Sequence, residues 1–175
     1  ARKIFTWSGT TGTTFPNATQ TTALTLPVAD YIRGIRTNER QFNPPGTPGV
    51  FRDRINILGD IIHSSPAYVP DTDTLYVGAN DGMLHAFNAA TGVEQFAYVP
   101  NGLNLVDLKS LSSLTSPAYE HRYFVDGPVV VSTRVQTPSN NYLVGALGRG
   151  GKGVFGLNVT NPATFSASSV IWEQP

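Results

Sequence analysis

The residues able to do chemistry in this chain are few, and most of them sit in turns. Asp71 and Asp73 lie in Pro70-Asp71-Thr72-Asp73, and Asp81 lies in Asn80-Asp81-Gly82. These three are the candidate metal ligands: gathered together they could hold a calcium ion, whereas an aspartate at a turn commonly accepts from its own backbone. The three histidines, His63, His85 and His121, are separated by 22 and 36 residues. A shared metal would need three elements to converge, and a hydrogen-bonded, half-buried imidazole is the expectation for His85 within a strand. The chain has no cysteine, so disulfides and thiolate metal sites are excluded. No G-x-S-x-G elbow occurs, and Ser64-Ser65 runs into Pro66 where a nucleophile's helix would begin. Gly148-x-Gly150-x-x-Gly153 matches the dinucleotide fingerprint in form only, because a strand pattern, Val154–Val159, follows where a helix is needed. It fails equally as a phosphate loop, with Ala146 at the first glycine position and Gly153 in place of Ser or Thr. A bulged or glycine-rich hairpin is the expected structure there.

The elements that carry these residues are strands. Thr74–Ala79, Met83–Phe87 and Glu94–Val99 are short apolar runs separated by Asn80-Asp81-Gly82, read as a two-residue hairpin, and Asn88–Gly92. Ser65–Val69 supplies a fourth strand, and four strands in about forty residues is the size of one propeller blade. The pattern recurs. Pro66 is answered by Pro128, Gly78 by Gly145 and Asn88 by Asn158, at offsets of 62, 67 and 70, so the insertions fall in loops. Aromatic residues of these strands, Tyr76, Phe87, Phe96, Tyr98, Phe155 and Trp172, are expected to fill the space between blades.

The remaining segments frame the repeats. Arg2–Trp7 reads as a strand that completes a sheet lying outside the chain, and Ser8–Asn17 as a loop. One short helix is expected from Pro27, with Val28, Tyr31, Ile32 and Ile35 on one face. Between the repeats, Leu105 to Leu114 allows a helix or two, and Val170–Glu173 reads as an outer strand. The domains implied are residues 1–59 leading into the propeller and residues 60–175, the latter holding repeats 60–100 and 124–175 with a crossover at 101–123. Seventeen glycines, 13 prolines and only 14% charged residues among 175 suit such an all-β, turn-rich chain. No apolar run approaches the ~18 residues that span a bilayer. The net charge is zero, but residues 1–59 carry an excess of four positive charges and residues 60–175 the reverse. The arginines are scattered with few aromatics between them, a solvated or interdomain face rather than a nucleic-acid footprint. The chain opens at Ala1 without a signal-peptide pattern, which reads as a processed or excised piece.

Three strings, Leu58-Gly59-Asp60-Ile61-Ile62-His63-Ser64-Ser65-Pro66, Leu75–Phe87 and His121-Arg122-Tyr123-Phe124-Val125-Asp126-Gly127, resemble the C-terminal β-propeller of the PilC/PilY type IV pilus tip and assembly proteins, and Gly148–Gly153 extends the match. The resemblance implies a secreted protein at the bacterial cell surface, outer membrane or pilus tip. It further implies support for pilus extension, attachment and twitching motility, through a modified seven-bladed propeller regulated by a calcium loop. Partners implied are the remaining blades, pilins or minor pilins, and host or abiotic surfaces, with self-association through uncovered blade faces. The chain has no D-x-D-x-[DN]-G loop, so Ca2+ is expected for the parent propeller and no cofactor within this stretch.

The fold class expected is all-β: a partial β-propeller of about two four-stranded blades plus an extra strand, with one or two short helices in insertions. The function expected is non-catalytic contact. Two alternatives stand beside it. Phe87-Asn88-Ala89-Ala90-Thr91-Gly92-x-x-x-Phe96 is similar to the repeat of pyrroloquinoline quinone dehydrogenases, with Phe96 in place of the docking tryptophan. An outer-membrane assembly scaffold built from the same repeats is the other.

Overall fold

Two antiparallel meanders follow from the alternating apolar runs, and they face each other. A computed structural model describes residues 2–43, 51–107 and 110–174. The first sheet has strand order β2-β1-β6-β5-β4-β3, formed by Ile4–Trp7 (β1), Gly12–Thr14 (β2), Ala67–Val69 (β3), Thr74–Ala79 (β4), Met83–Asn88 (β5) and Glu94–Val99 (β6). The second has order β10-β9-β8-β7, formed by Val129–Val131 (β7), Tyr142–Ala146 (β8), Val154–Asn158 (β9) and Val170–Gln174 (β10). β3 and β4 lie against β7, and β1 and β2 against β10, so the two sheets are stacked with both pairs of edges aligned.

The opening strand corrects the sequence reading. β1 does not complete a sheet lying elsewhere: it pairs in parallel with β6, Phe5 opposite Tyr98, and β2, from the tract expected as loop, pairs antiparallel with β1. The first meander therefore gains two strands. The Asn80–Gly82 turn is also one residue longer than expected, since Ala79 pairs with Met83 and Gly82 takes a φ of +94°. The repeats differ in register. Ala67 faces Tyr76, but its counterpart Val129 faces Gly145, two residues beyond the counterpart of Tyr76. A slide of two keeps every side chain on its face, which is why the sheet tolerates it.

The pairing aligns Tyr76, Ala86 and Phe96 across one face of the first sheet, with Leu84, Tyr98 and Phe5 beside them. That face meets the second sheet. The Phe96 ring stacks on Phe165 with centroids 3.7 Å apart, Phe5 reaches the same ring at 5.3 Å, and Tyr98 leans on Phe155 at 5.1 Å. Gly145 opposite Phe155 makes this possible, because a Cβ there would come within 2.4 Å of the ring. Each ring buried this way stabilises the pair by roughly 2 kcal/mol. The aromatic expectation holds for Tyr76, Phe96, Tyr98 and Phe155, all fully buried, but not for Trp172, which faces outward.

Two short helices follow β2, within the one or two expected, and the first is bonded to β1. Ala18–Leu24 (α1) starts at a reciprocal cap between Asn17 and Gln20, and Gln20 Nε2 also donates to Thr6 Oγ1 on β1 at 2.9 Å. Leu26–Ile32 (α2) buries Ala29, Tyr31 and Ile32 and closes at Gly34, whose φ is +96°. Ile35, expected on the helical face, lies past that stop and is exposed. In the crossover only Leu111–Thr115 is helical among the described residues, as a 3-10 turn, and Leu108 lies outside them. Ser110, Ser113 and Thr115 hydroxyls donate to nearby backbone carbonyls, an alternative to α-helical bonding that breaks the expected helix.

Of the excess arginines Arg40 is exposed, whereas three others bind neighbouring segments. Arg36 and Arg54 clamp the buried Glu39 carboxylate, and Arg54 lies 3.5 Å from the centroid of Tyr31 on α2. Arg52 covers Tyr119 at 4.4 Å and donates to the Leu114 carbonyl. Burial would push the Glu39 carboxyl up, but hydrogen bonds from Arg36, Arg54 and Gln41 outweigh it and hold it down at about 2.

Candidate functional site

The three strings that carry the family resemblance are far apart in the chain and meet at one end of the two sheets. The stretch entering β3 brings Gly59, Asp60, His63 and Ser64; the β4–β5 turn brings Asn80 and Asp81; the stretch entering β7 brings His121, Tyr123 and Asp126. They bind one another. His63 donates to the buried Asp126 carboxylate from its backbone N at 3.1 Å and from Nδ1 at 2.7 Å. Phe124 N donates to Asn80 Oδ1 at 2.9 Å, Gly59 N to Asp81 Oδ2 at 2.9 Å, and Asn80 N to the Asp60 carbonyl at 2.9 Å. Ser64 Oγ accepts from Gly78 N at 2.9 Å.

Glycine permits the close approach. A Cβ on Gly78 would stand 2.4 Å from the Val125 carbonyl oxygen, and one on Gly150 would stand 1.6 Å from the Phe124 carbonyl oxygen. The Gly148–Gly153 run is thus the β8–β9 connection, a 3-10 turn over Gly148–Gly150 pressed against the third string. It leads into a strand and opens no helix that could receive a pyrophosphate.

A charged chain continues beneath this clasp. His85 is fully buried, not half-buried. Its Nε2 donates to Asp81 at 3.1 Å and its Nδ1 to Glu94 Oε1 at 2.8 Å. Glu94 also receives Arg2, through Nε and Nη2 at 2.6 Å each, which pins the segment before β1 onto β6. Burial would lower the His85 pKa, but Asp81 and Glu94 raise it to about 9, so the imidazole is a cation. Burial likewise opposes ionisation of Glu94, and Arg2 and His85 overcome it to hold the carboxyl at about 2.

The predicted metal ligands do not come together. Asp71 accepts from Arg134 N and Asn141 Nδ2 of the second repeat, and Asp73 from the Tyr68 hydroxyl. Asp81 lies past the far end of the six-residue β4, about 20 Å away at ordinary strand rise, engaged with Gly59, Met83 and His85. These three residues therefore do not fit a calcium ion, and among the described residues no group of three or more histidines and carboxylates is placed to hold a metal. Of the histidines, His63 and His121 both lie against Tyr123, with centroids at 5.6 and 4.9 Å, while His85 is elsewhere. His121 pairs with Asp60 at 2.7 Å.

Sequence reasoning missed Arg2, Glu94, Asp60 and Asp126 as working residues. Asp60 and Asp126 stood inside the recognised strings, beside His63 and His121, and could have been paired on that ground. Chemically, both exposed imidazoles are oriented by carboxylates, but Ser64, the hydroxyl nearest in sequence, is buried and accepts from the backbone. The cluster is built to hold segments together.

Two sheets packed face to face, with an aromatic seam and a clasp of turn residues at one end, are adjacent blades of a β-propeller. The sequence pattern of the PilY1 beta-propeller domain matches residues 62–174, and the chain belongs to that family. It is 40% identical over 154 residues to a type IV pilus biogenesis factor PilY1 homolog of Xylella fastidiosa (strain Temecula1 / ATCC 700964), covering 84% of this chain and 10% of that protein. It is 38% identical over 175 residues to the type IV pilus biogenesis factor PilY1 of Pseudomonas aeruginosa (strain UCBPP-PA14), covering 82% of this chain and 14% of that protein. The chain thus spans about a tenth to a seventh of the length of these relatives. No solved structure matches it.

Proposed function

We propose that this chain is a non-catalytic contact module of a type IV pilus biogenesis factor, located at the cell surface or pilus tip and supporting pilus extension, attachment and twitching motility. One observation carries the contact role. The outer face of the second sheet exposes Val130, Tyr142, Val144, Val154 and Trp172, while the polar side chains of the family strings are engaged with one another. An apolar sheet face of this kind is covered in use. Further sheets of the propeller, pilins or minor pilins, and host or abiotic surfaces are the proposed partners. Any calcium acting in the longer protein is assigned to residues other than Asp71, Asp73 and Asp81.

The test is to place Val144→Glu and Trp172→Glu together in the intact protein within a piliated bacterium and to count surface pili and twitching zones at matched protein level. Loss of both is expected. Unchanged pili and twitching would contradict the contact role, and a quinone absorbance band in the purified protein would favour the dehydrogenase alternative.

A further inference from the structure

Between α2, the crossover and the stretch that leads from Phe51 to β3 lies a cavity of about 310 Å³, floored by Tyr31, Ile32, Leu114 and Tyr119 and walled by that stretch itself. The stretch is fixed at two points. At the first, Arg54 donates to Glu39 from its backbone N at 3.2 Å and from Nε at 2.7 Å, and to the Tyr31 carbonyl from Nη1 at 2.7 Å. At the second, Gly59 N donates to Asp81 at 2.9 Å and the Asp60 carbonyl accepts from Asn80 N at 2.9 Å. A Cβ on Gly59 would stand 2.3 Å from Asp81 N, so this second anchor is a close backbone seat.

Ile55, Asn56, Ile57 and Leu58 span the distance between the anchors, and among the described residues none of them makes a backbone hydrogen bond. Ile57 leans on Gly34, but Ile55 is 94% exposed and Leu58 41%. We infer that this span is a strap that closes into the cavity in solution, turning Ile55 and Leu58 inward onto Tyr31, Ile32 and Leu114.

The volume is about twice the ~150 Å³ that loss of one leucine side chain opens in a core, room for two aliphatic side chains. Closing removes apolar surface from water and breaks no backbone hydrogen bond, so the conformational entropy of a few residues is what opposes it. The anchors keep the movement local, with the unbonded span as the least stable part of a stretch bonded on either side. Opening presents an aliphatic ridge that continues through Ile61 and Ile62 into the first family string, and closing withdraws its first half. The strap thus sets how much apolar surface this side of the chain offers, independently of the contact face on the second sheet.

The experiment combines urea unfolding and methyl NMR of the 175-residue chain. Ile55→Asp should lower the urea midpoint by roughly 0.5 M, whereas a side chain that stays in water gives a shift within about 0.2 M. The loss should disappear alongside Leu114→Phe, which takes up the floor of the cavity. In the unsubstituted chain a soluble gadolinium chelate should broaden the Ile55 δ-methyl at least threefold less than the Ile62 δ-methyl. An unchanged midpoint in Ile55→Asp, a loss that persists in full with Leu114→Phe, or Ile55 broadened as much as Ile62 would each overturn the strap. Should Leu114→Phe fail to fold, the Ile55→Asp midpoint and the methyl comparison decide.

Discussion

Arg2, Glu94, His85 and Asp81 form a buried run of alternating charge, and its titration sets how stability responds to pH. Glu39 and Glu94 have carboxyls held at about 2 against an ordinary 4.5, so their contribution is present above pH 4.5 and is lost as pH falls toward 2. His85 is raised from 6.5 to about 9, so its contribution is complete below pH 6.5 and is lost as pH rises through 9. Urea midpoints should therefore peak between pH 4.5 and 6.5 and decline on both sides, and a midpoint still rising above pH 7 would contradict the pairing. Glu94→Gln leaves the buried His85 cation and the part-buried Arg2 facing a neutral amide and should cost roughly 3 kcal/mol of unfolding free energy. Little of this was legible beforehand. His85 was recognisable as a strand histidine, but its partners Asp81 and Glu94 lie in the preceding turn and on the next strand, and Arg2, which completes the run, reaches Glu94 from 92 residues away.

At the scale of elements, legibility followed locality. The meanders β3–β6 and β7–β10 showed themselves through alternation and turn glycines within a few residues. β1 was readable as a strand but its place was not, because its position beside β6 is a parallel pairing across some ninety residues and no turn advertises it. α1 carries few apolar residues, and only the Asn17…Gln20 spacing signalled its start. The three strings were visible as strings, but their mutual bonding depends on backbone approaches set by glycine. Gly150→Ala should accordingly destabilise by roughly 2–3 kcal/mol, since the new methyl meets the Phe124 backbone, which cannot give way. Gly92→Ala, whose Cβ would meet nothing within 4 Å but whose φ is +70°, should cost only about 1 kcal/mol. Chemical denaturation of the two variants side by side reads the contrast, and equal losses would mean that the close approach is not what Gly150 provides.

For the whole molecule, one face of the first sheet packs against the second sheet, whereas the second sheet leaves its other face exposed. Its outer side, centred on Val144 and Trp172, should drive this 175-residue chain to associate at micromolar concentrations. Sedimentation should show species larger than a monomer, reverting to monomer in the Val144→Glu, Trp172→Glu double variant. A clean monomer with intact sheet content in the unsubstituted chain would count against an exposed contact face.

The clasp and the aromatic seam make the two blades one cooperative body. The chain's two tryptophans report on this directly, with Trp7 on β1 in the first sheet and Trp172 on β10 in the second. Urea unfolding of the single-tryptophan variants Trp172→Phe and Trp7→Phe, each compared with its own circular dichroism, should give coincident midpoints for fluorescence and sheet content, and the two probes should separate once Asp126→Ala removes the His63 anchor. Separate transitions for the two sheets with Asp126 in place would contradict it.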